Sequence, residues 1–492
     1  MSTTSTSQAA GAANRTRAGA SRDPQPPPVP HLSVAERVAR GKAARAEVPR
    51  ASHGGFEPKA TRVDPVDLLE RQAKTRVPEL VPIRYGRMLV SPFTFYRGAA
   101  MIMAQDLAAT PRSGLTVQCC GDAHLSNFGA FASPERRLVF DVNDFDETLP
   151  GPWEWDVKRL AASMLIAALD NGFAAKQQDK IVLETVKEYR RAMRLFAGMN
   201  NLDVWYSHLE LEPVLQQFAQ QFKPRAFKRT EKQLAKARTR DSMSAFEKLT
   251  HVVDGKVEIV DQSPLIVPIT KLATGQAGHE IFEELHRLLR EYRSTLEFDR
   301  RVLLEEFELH DFARKVVGVG SVGTRAWIAL LLGRDAEDPL FLQIKEAEAS
   351  VLEPSLGPSE FSNHGQRVVT GQRLMQATSD IFLGWLRVDA GLDGRSRDFY
   401  VRQLKDWKAS AQIERMVPEA LALYGKLCGW TLARAQARSG DRIAIAAYLG
   451  GGDVFDRAIL DFSKAYTEQN ERDYNALADA VKSGRITAQT GL

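Results

Sequence analysis

Apolar residues recur at helical spacing through much of the chain. The segment WEWDVKRLAASMLIAALDNG (153–172) has this spacing and ends at a glycine. Residues 175 to about 310 predict mostly helix, interrupted by HVVDGKVEIV (251–260), in which Asp254-Gly255 suits a hairpin turn. From about residue 417 the pattern again predicts helices, beginning with one at 417–438.

Two regions have the short β-branched and aromatic runs that are typical of strands. The first contains LTVQCC (115–120) and RLVFDV (137–142), separated by a loop. The second contains RKVVGVGSVGTRAWIALLLG (314–333) followed by DPLFLQIKEA (338–347), which together predict three strands punctuated by glycine. The chain is therefore expected to have an α+β fold.

Residues 1–58 differ from the rest of the chain in composition. They are rich in Ser, Thr, Ala, Gly, Pro and Arg, and they include PQPPPVP (24–30). Such a segment buries too little apolar area to offset the entropy lost on ordering, so most of it is predicted to be disordered. Within it, VAERVARGKAARAEVPR (34–50) is either a solvated tail or a basic helix that docks on the folded part.

Composition narrows the class of protein. The net charge of +4 over 492 residues gives no global argument for nucleic-acid binding. The three cysteines, Cys119, Cys120 and Cys428, are an odd number that fits a reduced protein without a disulfide scaffold. The first residues lack the apolar stretch of a secretory signal, and no apolar run approaches the ~18 residues that span a bilayer. A cytoplasmic location with no membrane partner is expected.

The clearest chemical signal is CGDAHLSNFGAF (120–131) followed by LVFDVNDFDET (138–148). It places Asp122 and Asn127 five residues apart in a loop after one strand, and Asp144 after the next strand. Phosphoryl transfer uses such a set, because one carboxylate orients the acceptor hydroxyl or takes its proton. An amide oxygen and a second carboxylate hold Mg²⁺ against the phosphates. The alternative is that these residues are surface turn residues.

Other ionisable groups lie close to this set. Asp141, Asp146 and Glu147 crowd Asp144, so a cation is expected among them, and Asp146 or Asp141 is a candidate for an additional metal ligand. His124 is a further catalytic candidate. It is expected to orient the loop by hydrogen bonding more than to act as a base.

The glycine-rich segment GVGSVGT (318–324) is a second signal. By itself G-x-G-x-x-G is weak, because a dinucleotide-binding turn needs a helix directly after the glycines and a strand is predicted here. A glycine turn between two strands, followed by a strand with a lysine, is the nucleotide-binding arrangement of kinases. Lys345 is that lysine or else a solvated strand residue. The candidate nucleotide-binding residues are Gly318, Gly320, Ser321, Gly323, Thr324 and Lys345.

The D-x₄-N spacing with the later D-F-D resembles the catalytic loop and metal motif of protein kinases and, more closely, of aminoglycoside-type phosphotransferases. The resemblance implies that Asp156 caps or ties the next helix. Kinases also pair the lysine with a glutamate on the following helix. The candidate helix, HGQRVVTGQRLMQATSDIFLGW (364–385), has no glutamate, which leaves Gln366, Gln372 or Gln376 as a neutral substitute.

Long stretches of the chain resemble one bacterial family, the domain of unknown function family 2252. The matching text includes RVPELVPIRYGRMLVSPFTFYRGAA (76–100) and GQRLMQATSDIFLGW (371–385), in addition to the acidic segments. The resemblance covers roughly residues 35–470. It implies a distant relation to the kinase-like fold and gives no substrate.

The order of the two signals is inverted relative to kinases, in which the glycine loop comes first. Circular permutation is the simplest explanation, because chain order does not matter to a site assembled in space. The expected fold is two-lobed and kinase-like, with a mostly helical catalytic lobe at 59–310 and a small antiparallel β nucleotide lobe at 311–410. FYVRQLKDWK (399–408) supplies the last strand and hinge, and 411–492 returns as helix to the catalytic lobe.

Basic residues elsewhere allow two interpretations. Arg84, Arg87 and Arg97 lie among apolar residues, and they either bind a carboxylate or phosphate or form ion pairs with the acids around 141–147. KPRAFKRTEKQLAKARTR (223–240) is either a solvated helical face or a guide for an anionic substrate or a nucleic acid. It lacks regularly interleaved aromatic residues, so no nucleic-acid partner is predicted.

The sequence thus predicts a phosphotransferase that depends on ATP and Mg²⁺ and acts on an unidentified hydroxyl acceptor. The aminoglycoside-type motif favours a small hydroxylated metabolite, with a lipid head group or a protein side chain as alternatives. A different possibility is a catalytically silent nucleotide-binding module that works through partners, which the missing glutamate supports. Nucleotidyl transfer from the same site is a third.

Overall fold

The computed structural model describes residues 31–217, 232, 235–239, 241–272, 276–316, 318–391, 394–404 and 406–491. The fold is α+β, as predicted, and its sheets are antiparallel. Residues 1–30, with the proline-rich run, and most of the basic segment 223–240 lie outside the described residues.

Helices form most of the described chain. Those before residue 220 are α1 (Val34–Glu47), α2 (Pro65–Ala73), α3 (Val81–Met88), α4 (Pro92–Gly98), α5 (Ala100–Leu107), α6 (Trp153–Asp170), α7 (Ala175–Ala197), α8 (Asn201–Tyr206) and α9 (Leu211–Gln217). Those after residue 240 are α10 (Ser242–Leu249), α11 (Ile269–Leu272), α12 (Gln276–Ser294), α13 (Phe298–Glu305), α14 (Glu353–Leu356), α15 (His364–Met375), α16 (Pro418–Ser439), α17 (Arg442–Leu449) and α18 (Val454–Lys482).

The strands fall into one large sheet and smaller groups. They are β1 (Thr116–Cys119), β2 (Phe128–Ala132), β3 (Leu138–Val142), β4 (Leu149–Pro152), β5 (Leu209–Glu210), β6 (Thr250–Val253), β7 (Lys256–Ile259), β8 (Ile266–Pro268), β9 (Glu308–Lys315), β10 (Ala326–Leu332), β11 (Pro339–Ala347), β12 (Gly384–Val388) and β13 (Arg397–Gln403). The large sheet has the order β12-β13-β11-β10-β9-β8. The others are β2-β3-β5, β1-β4 and β6-β7.

The three strands predicted around the glycine-rich segment are confirmed as β9, β10 and β11. The segment joins β9 to β10, and β11 follows with Lys345 near its end. In the register of β11 with β13, Lys345 lies directly opposite Tyr400. Residues directly opposite each other in an antiparallel pair project from the same face, so these two side chains are neighbours.

Helix α6 is the centre of the helical part of the molecule. Nearly all of its residues are buried, because apolar residues occur on all of its faces. Helices α7, α16 and α18 pack around it, and β4 leads directly into its first turn. No helix in the described part of the chain has both the length and the apolar character needed to cross a membrane.

The chain after β13 connects the large sheet to the helical part. Ala409 forms an antiparallel bridge with Ala130 of β2, and the Ala132 N–H donates to the Asp406 carbonyl at 3.1 Å. Helix α16 then begins at Pro418, since proline is well suited to the first helical position. The helix predicted at 417–438 is therefore confirmed.

The segment 31–58 differs from the prediction of disorder. Helix α1 is N-capped by Ser33, and its Arg37 pairs with Asp441 at 2.8 Å, just before α17. Composition alone underestimated the order of this segment, because a short helix without a core of its own is stabilised by docking on another element. The docked basic helix, the second interpretation of 34–50, is what the structure contains.

Two further elements differ from the helices predicted for their segments. The helix expected over 364–385 ends at Met375, and its last residues belong to β12 instead. Residues 266–268, within the stretch predicted to be mostly helical, form β8 at the edge of the large sheet. By contrast, the Asp254-Gly255 hairpin turn is confirmed, with φ values of 48° and 77° that suit a type I′ turn.

Asp380 ties the turn before β12 to the end of β13. Its carboxylate accepts hydrogen bonds from the N–H groups of Phe382 at 2.9 Å and Gln403 at 2.5 Å. Burial raises the pKa of Asp380 from 3.8 to about 6. The folded state therefore holds this proton more tightly than the unfolded state. Below pH 3.8 this difference stabilises the folded state by roughly 2–3 kcal/mol, and the stabilisation is lost as the pH rises through about 6.

We expect Asp380→Asn to remove this part of the pH dependence. Urea unfolding at pH 4 and pH 7 gives the change in the free energy of unfolding for each protein. From pH 4 to pH 7, the free energy of unfolding of the wild type should fall by roughly 2–3 kcal/mol more than that of the variant, because the variant has no carboxyl group to ionise at this position. Equal changes in the two proteins would show that Asp380 titrates normally.

Candidate functional site

The loop after β1 starts with a turn that requires glycine. Gly121 has a φ of +83°, and a Cβ there would lie 2.2 Å from the Glu147 carbonyl oxygen. Asp156 of α6 secures the same turn, because its carboxylate accepts hydrogen bonds from the N–H groups of Cys120 at 2.9 Å and Gly121 at 3.1 Å. Asp156 therefore ties the loop to the helix, as the resemblance implied.

Asp122 is partly exposed and is held by Arg159 of α6. The Nε and Nη2 atoms of Arg159 lie 2.8 Å and 2.7 Å from Asp122 Oδ1. Burial raises the pKa of Asp122, and the positive charges of Arg159 and Arg97 oppose that shift. The carboxylate is thus fixed in orientation while its second oxygen remains available to a hydroxyl group in the cleft.

His124 orients the loop, as the sequence predicted. Its Nδ1 accepts a hydrogen bond from the Ser126 N–H at 3.2 Å, and its Nε2 lies 3.7 Å from Asp122 Oδ2. Burial lowers the pKa of His124 well below its ordinary value, so the ring is neutral near pH 7. A neutral imidazole in this position fixes the backbone without adding a charge beside Asp122.

Asn127 and Asp144 meet because β2 and β3 are paired. Phe128 lies opposite Val142 in the register, so the residue before β2 and the residues after β3 share one end of this sheet. The Asn127 Nδ2 donates to the Asp122 carbonyl at 2.8 Å, and the Asn143 N–H donates to the Asn127 carbonyl at 2.9 Å. The amide and the carboxylate predicted to bind metal are therefore neighbours.

Asp144 and Asp146 differ in their partners. Asp146 accepts hydrogen bonds from Lys345 Nζ and from the Tyr400 hydroxyl, each at 2.6 Å. Burial acts to raise the pKa of Asp146, but these partners outweigh it and the pKa is lowered. Burial and the nearby Asp146 raise the pKa of Asp144. Asp144 accepts a hydrogen bond from the Asp146 N–H at 3.3 Å, and the positive charges of Lys345 and Arg402 oppose the rise in its pKa.

Arg367 of α15 holds the backbone around this acidic turn. It donates to the carbonyls of Asp146 at 2.8 Å, Thr148 at 2.7 Å and Glu348 at 2.7 Å. The helix that was expected to supply a partner for Lys345 thus supplies an arginine that links the acidic turn to the end of β11.

The expectation that a glutamine replaces the missing glutamate as the partner of Lys345 was wrong for Gln372 and Gln376. Gln372 donates to Gln376 at 3.0 Å, and Gln376 donates to the Val142 carbonyl at 2.7 Å. The charged partner of Lys345 is Asp146. Lys345 is 2% exposed and is therefore buried in an ion pair, which excludes the solvated strand residue.

The glycine-rich segment lies against α3 and α4. Arg87 donates to the Gly318 carbonyl at 2.6 Å. A Cβ on Gly320 would lie 3.2 Å from the Arg97 carbonyl oxygen, so the segment passes close to the backbone at the end of α4. These contacts place the tip of the segment beside the loop that contains Asp122.

The second half of the segment is held by its own turn and by the chain before α3. The Thr324 hydroxyl donates to the Ser321 carbonyl at 2.8 Å, and the Gly323 carbonyl accepts from the Val77 N–H at 2.8 Å. The Thr324 hydroxyl is therefore engaged within the turn.

The acidic and glycine-rich segments line one cleft of about 560 Å³. Among the candidate catalytic, metal-binding and nucleotide-binding residues, those that line it are Asp122, His124, Asn127, Asp144, Asp146, Gly318, Gly320, Ser321 and Thr324. Gly323 and Lys345 lie behind the lining. A volume of this size is ordinary for a small-molecule site.

Asp141 is not part of this cleft. Its carboxylate forms a buried ion pair with Arg434 of α16 and accepts a hydrogen bond from the Val142 N–H. The prediction of Asp141 as an additional metal ligand was therefore wrong. Asp141 lies within β3 and its side chain extends from one face of the sheet, whereas Asp144 lies beyond the end of the strand.

Sequence reasoning named Asp156 only through the resemblance, and it missed several other residues that position this site. Asp156, Arg159 and Ser163 occur at helical spacing on α6 and bind successive parts of one loop. Ser163 accepts a hydrogen bond from the Leu125 N–H at 3.0 Å, beyond the contact of Arg159 with Asp122. The signal was present, because three polar residues on one face of an otherwise apolar, buried helix need partners. Tyr400 and Arg367 gave no comparable signal, since their contacts depend on distant strand pairing.

Comparison with known proteins identifies a family. Residues 76–480 match the family described as "Uncharacterized protein conserved in bacteria (DUF2252)". The chain belongs to this family. The match includes both the acidic loop and the glycine-rich segment. No curated protein and no solved structure gives a significant match to the chain.

The turn at Gly121 allows a direct test of the loop geometry. Gly121→Ala should unfold more readily than the wild type, because the new Cβ meets a backbone carbonyl in addition to the unfavourable positive φ. Gly172→Ala is the matched control, since Gly172 has a φ of +70° with open space around its Cβ position. In urea unfolding, Gly121→Ala should lose about 1–3 kcal/mol more than the control. Equal losses would contradict the contact with Glu147.

The ion pair between Lys345 and Asp146 predicts strong coupling. Lys345→Met should lower the free energy of unfolding by about 3–5 kcal/mol, because it leaves Asp146 without its cation. Asp146→Asn in the same chain should restore part of this loss. A double-mutant cycle measured by urea unfolding checks this, and strictly additive effects would show that the two side chains do not interact.

Proposed function

We propose that the protein is a phosphotransferase that uses ATP and Mg²⁺ to phosphorylate a hydroxyl group. The observation that carries the proposal is one cleft lined both by Asp122, Asn127 and Asp144 and by the glycine-rich turn. Lys345 of the following strand reaches the acidic set through Asp146, which is 199 residues away in the sequence. Phosphoryl transfer depends on positioning and electrostatics, which such a set supplies.

Asp122 is the residue that meets the acceptor hydroxyl in this proposal. One of its oxygens is held by Arg159, which fixes the carboxylate and leaves the other to accept the hydroxyl hydrogen bond. The burial that raises the pKa of Asp122 also makes it a better proton acceptor. His124, which is neutral, keeps the loop in place and takes no proton.

Asn127 and Asp144 suit a magnesium ion that arrives with a nucleotide. In the described part of the chain, no three His, Cys, Asp or Glu side chains converge as a ready-made metal site. Mg²⁺ is typically held by one or two carboxylates together with phosphates and waters, so a partial set is what it needs. The bound ion would neutralise charge on the phosphates. Asp146 contributes less directly, since Lys345 and Tyr400 occupy both of its oxygens.

The glycine-rich turn and Lys345 serve the nucleotide in this proposal. Ser321 and the backbone of Gly318 and Gly320 line the cleft, where N–H groups can bind phosphate oxygens. Lys345 acts mainly by holding Asp146 ionised. We further propose a kinase-like fold in circularly permuted order, with the large sheet as nucleotide lobe. The sequence of strand, glycine turn, strand and lysine strand supports this, as does the bridge from Ala409 to β2.

A catalytically silent nucleotide-binding module is the second candidate. The burial of Lys345 behind Asp146, away from the lining of the cleft, favours it. The orientation of Asp122 by Arg159 favours catalysis, because binding alone has no use for a fixed proton acceptor. Turnover therefore separates the two candidates.

Asp144→Asn should strongly reduce metal-dependent turnover. Incubation of the wild type with ATP, Mg²⁺ and a cell-metabolite extract should release ADP and yield a phosphorylated product detectable by mass spectrometry. The variant should be slower by a factor on the order of 100, because it lacks the carboxylate that binds the metal. Asp254→Asn, in an exposed hairpin, is the matched control and should behave as the wild type.

The same reaction discriminates the alternatives. Pyrophosphate instead of ADP would indicate nucleotidyl transfer. Binding of ATP and Mg²⁺ in a thermal-shift assay without turnover would indicate the silent module. Turnover at the wild-type rate in Asp144→Asn would contradict the assignment of this site.

A further inference from the structure

The cleft has a second, basic wall that the proposed chemistry does not use. Arg76, Arg84 and Arg97 line the same cleft as Asp122 and Ser321. They come from the chain between α2 and α4, which packs beside the glycine-rich turn. We refer to these three arginines as the arginine wall.

The arginine wall contains buried N–H donors that have no hydrogen-bond partner among the described residues. Arg84 is fully buried, and its Nη2 donates to Gln72 at 2.5 Å and to the Gly98 carbonyl at 3.1 Å. Its Nε and Nη1 have no hydrogen-bond partner among the described residues, and neither have the Nε atoms of Arg76 and Arg97. Buried donors of this kind are normally satisfied by an acceptor such as water or an ion. Because all three arginines border the cleft, an anion bound there could supply the missing acceptors.

The charge of the wall is also left unbalanced. The contacts of Arg84, and that of Arg76 with the Val322 carbonyl, are to neutral groups. Burial lowers the pKa of all three guanidinium groups, as expected where no carboxylate pairs with them. This argues against the ion pairs with residues 141–147 that the sequence left open for Arg84 and Arg97.

Three acids that line the same cleft have other partners. Asp146 is paired with Lys345, and Glu147 accepts a hydrogen bond from the Val351 N–H at 2.7 Å. Glu346 lies 3.3 Å from Arg325 and 3.0 Å from Arg397. Glu147, Glu346 and Glu348 act on Arg76 only through space, so they offset its charge incompletely.

We propose that the arginine wall binds an anionic group of the acceptor, so that the substrate is a hydroxyl compound carrying a phosphate or a carboxylate. This rests on the proposed function, in which Asp122 meets the acceptor hydroxyl. Arg97 is close enough to Asp122 to act on its carboxylate, and its side chain remains partly exposed in the cleft. An acceptor held there by its anionic group presents its hydroxyl to Asp122. Arginine suits this role because its planar group binds such oxygens through two parallel hydrogen bonds.

Inorganic phosphate is the probe for the wall. Isothermal titration calorimetry of the full chain in chloride buffer, without nucleotide or metal, should show saturable binding. Arg97→Gln should weaken that binding at least tenfold, and Arg97→Lys, which keeps the charge, should weaken it less. Arg112→Gln, at an exposed arginine outside the cleft, should bind phosphate as the wild type does. Circular dichroism confirms that each variant is folded.

A second titration with ATP and Mg²⁺ assigns the wall to the acceptor. Arg97→Gln should bind ATP with an affinity within about twofold of the wild type, and phosphate should not displace ATP. Absence of saturable phosphate binding, or phosphate binding that Arg97→Gln leaves unchanged, would overturn the proposal. Loss of ATP binding in parallel with phosphate binding would also overturn it, because the arginines would then hold the nucleotide.

Failure of the proposed function has a different signature. If the wild type does not bind ATP at all, the phosphotransferase proposal fails and the acceptor role of the wall fails with it. The phosphate titration still decides in that case whether the arginine wall is an anion site.

Discussion

The contact between Lys345 and Asp146 joins two stretches of chain that are 199 residues apart in the sequence. Lys345 extends from the large sheet beside Tyr400, and both side chains end on the same carboxylate. Burying such a pair is costly unless its geometry and hydrogen bonds are nearly ideal, so the sheet has little freedom to shift relative to the acidic turn. Arg367 adds to this constraint through three backbone carbonyls. The cleft between the two segments exists because they are held at this point.

Helix α6 provides the other fixed side of the site. Its Asp156, Arg159 and Ser163 face one loop and bind consecutive parts of it, from the turn at Gly121 to the Leu125 N–H. A rigid helix that holds this loop at several points limits the movement of Asp122. The lining of the cleft combines both signs of charge. It contains Asp122, Asp144 and Asp146 together with the arginine wall. The proposed acceptor, with a hydroxyl and an anionic group, matches this combination of charges.

Local sequence patterns correctly predicted the elements whose structure depends mainly on residues that are close in the sequence. The apolar spacing of 153–172 gave α6, the glycine punctuation gave β9 to β11, and Asp254-Gly255 gave a hairpin turn. The acid and amide residues of the loop also meet as expected, because strand pairing at Phe128 and Val142 is short-range. These features require only neighbours in the sequence or a single tight pairing.

Local sequence patterns did not predict the contacts between residues that are far apart in the sequence. Asp146 as the partner of Lys345 depends on the register of three strands, which periodicity does not specify. Docking of α1 depends on Asp441, about 400 residues away, so composition alone suggested disorder. The pairing of Asp141 with Arg434 likewise depends on where α16 returns to the core. The family match includes the residues of the Lys345 and Asp141 ion pairs but begins after α1, and it describes no activity.

A crystal structure of the full chain with Mg²⁺ and a non-hydrolysable ATP analogue tests the central claim most directly. The account predicts one magnesium ion bound by Asp144 and Asn127, with the phosphate chain lying between them and the glycine-rich turn. A nucleotide bound elsewhere, or a metal ion that contacts neither residue, would contradict it.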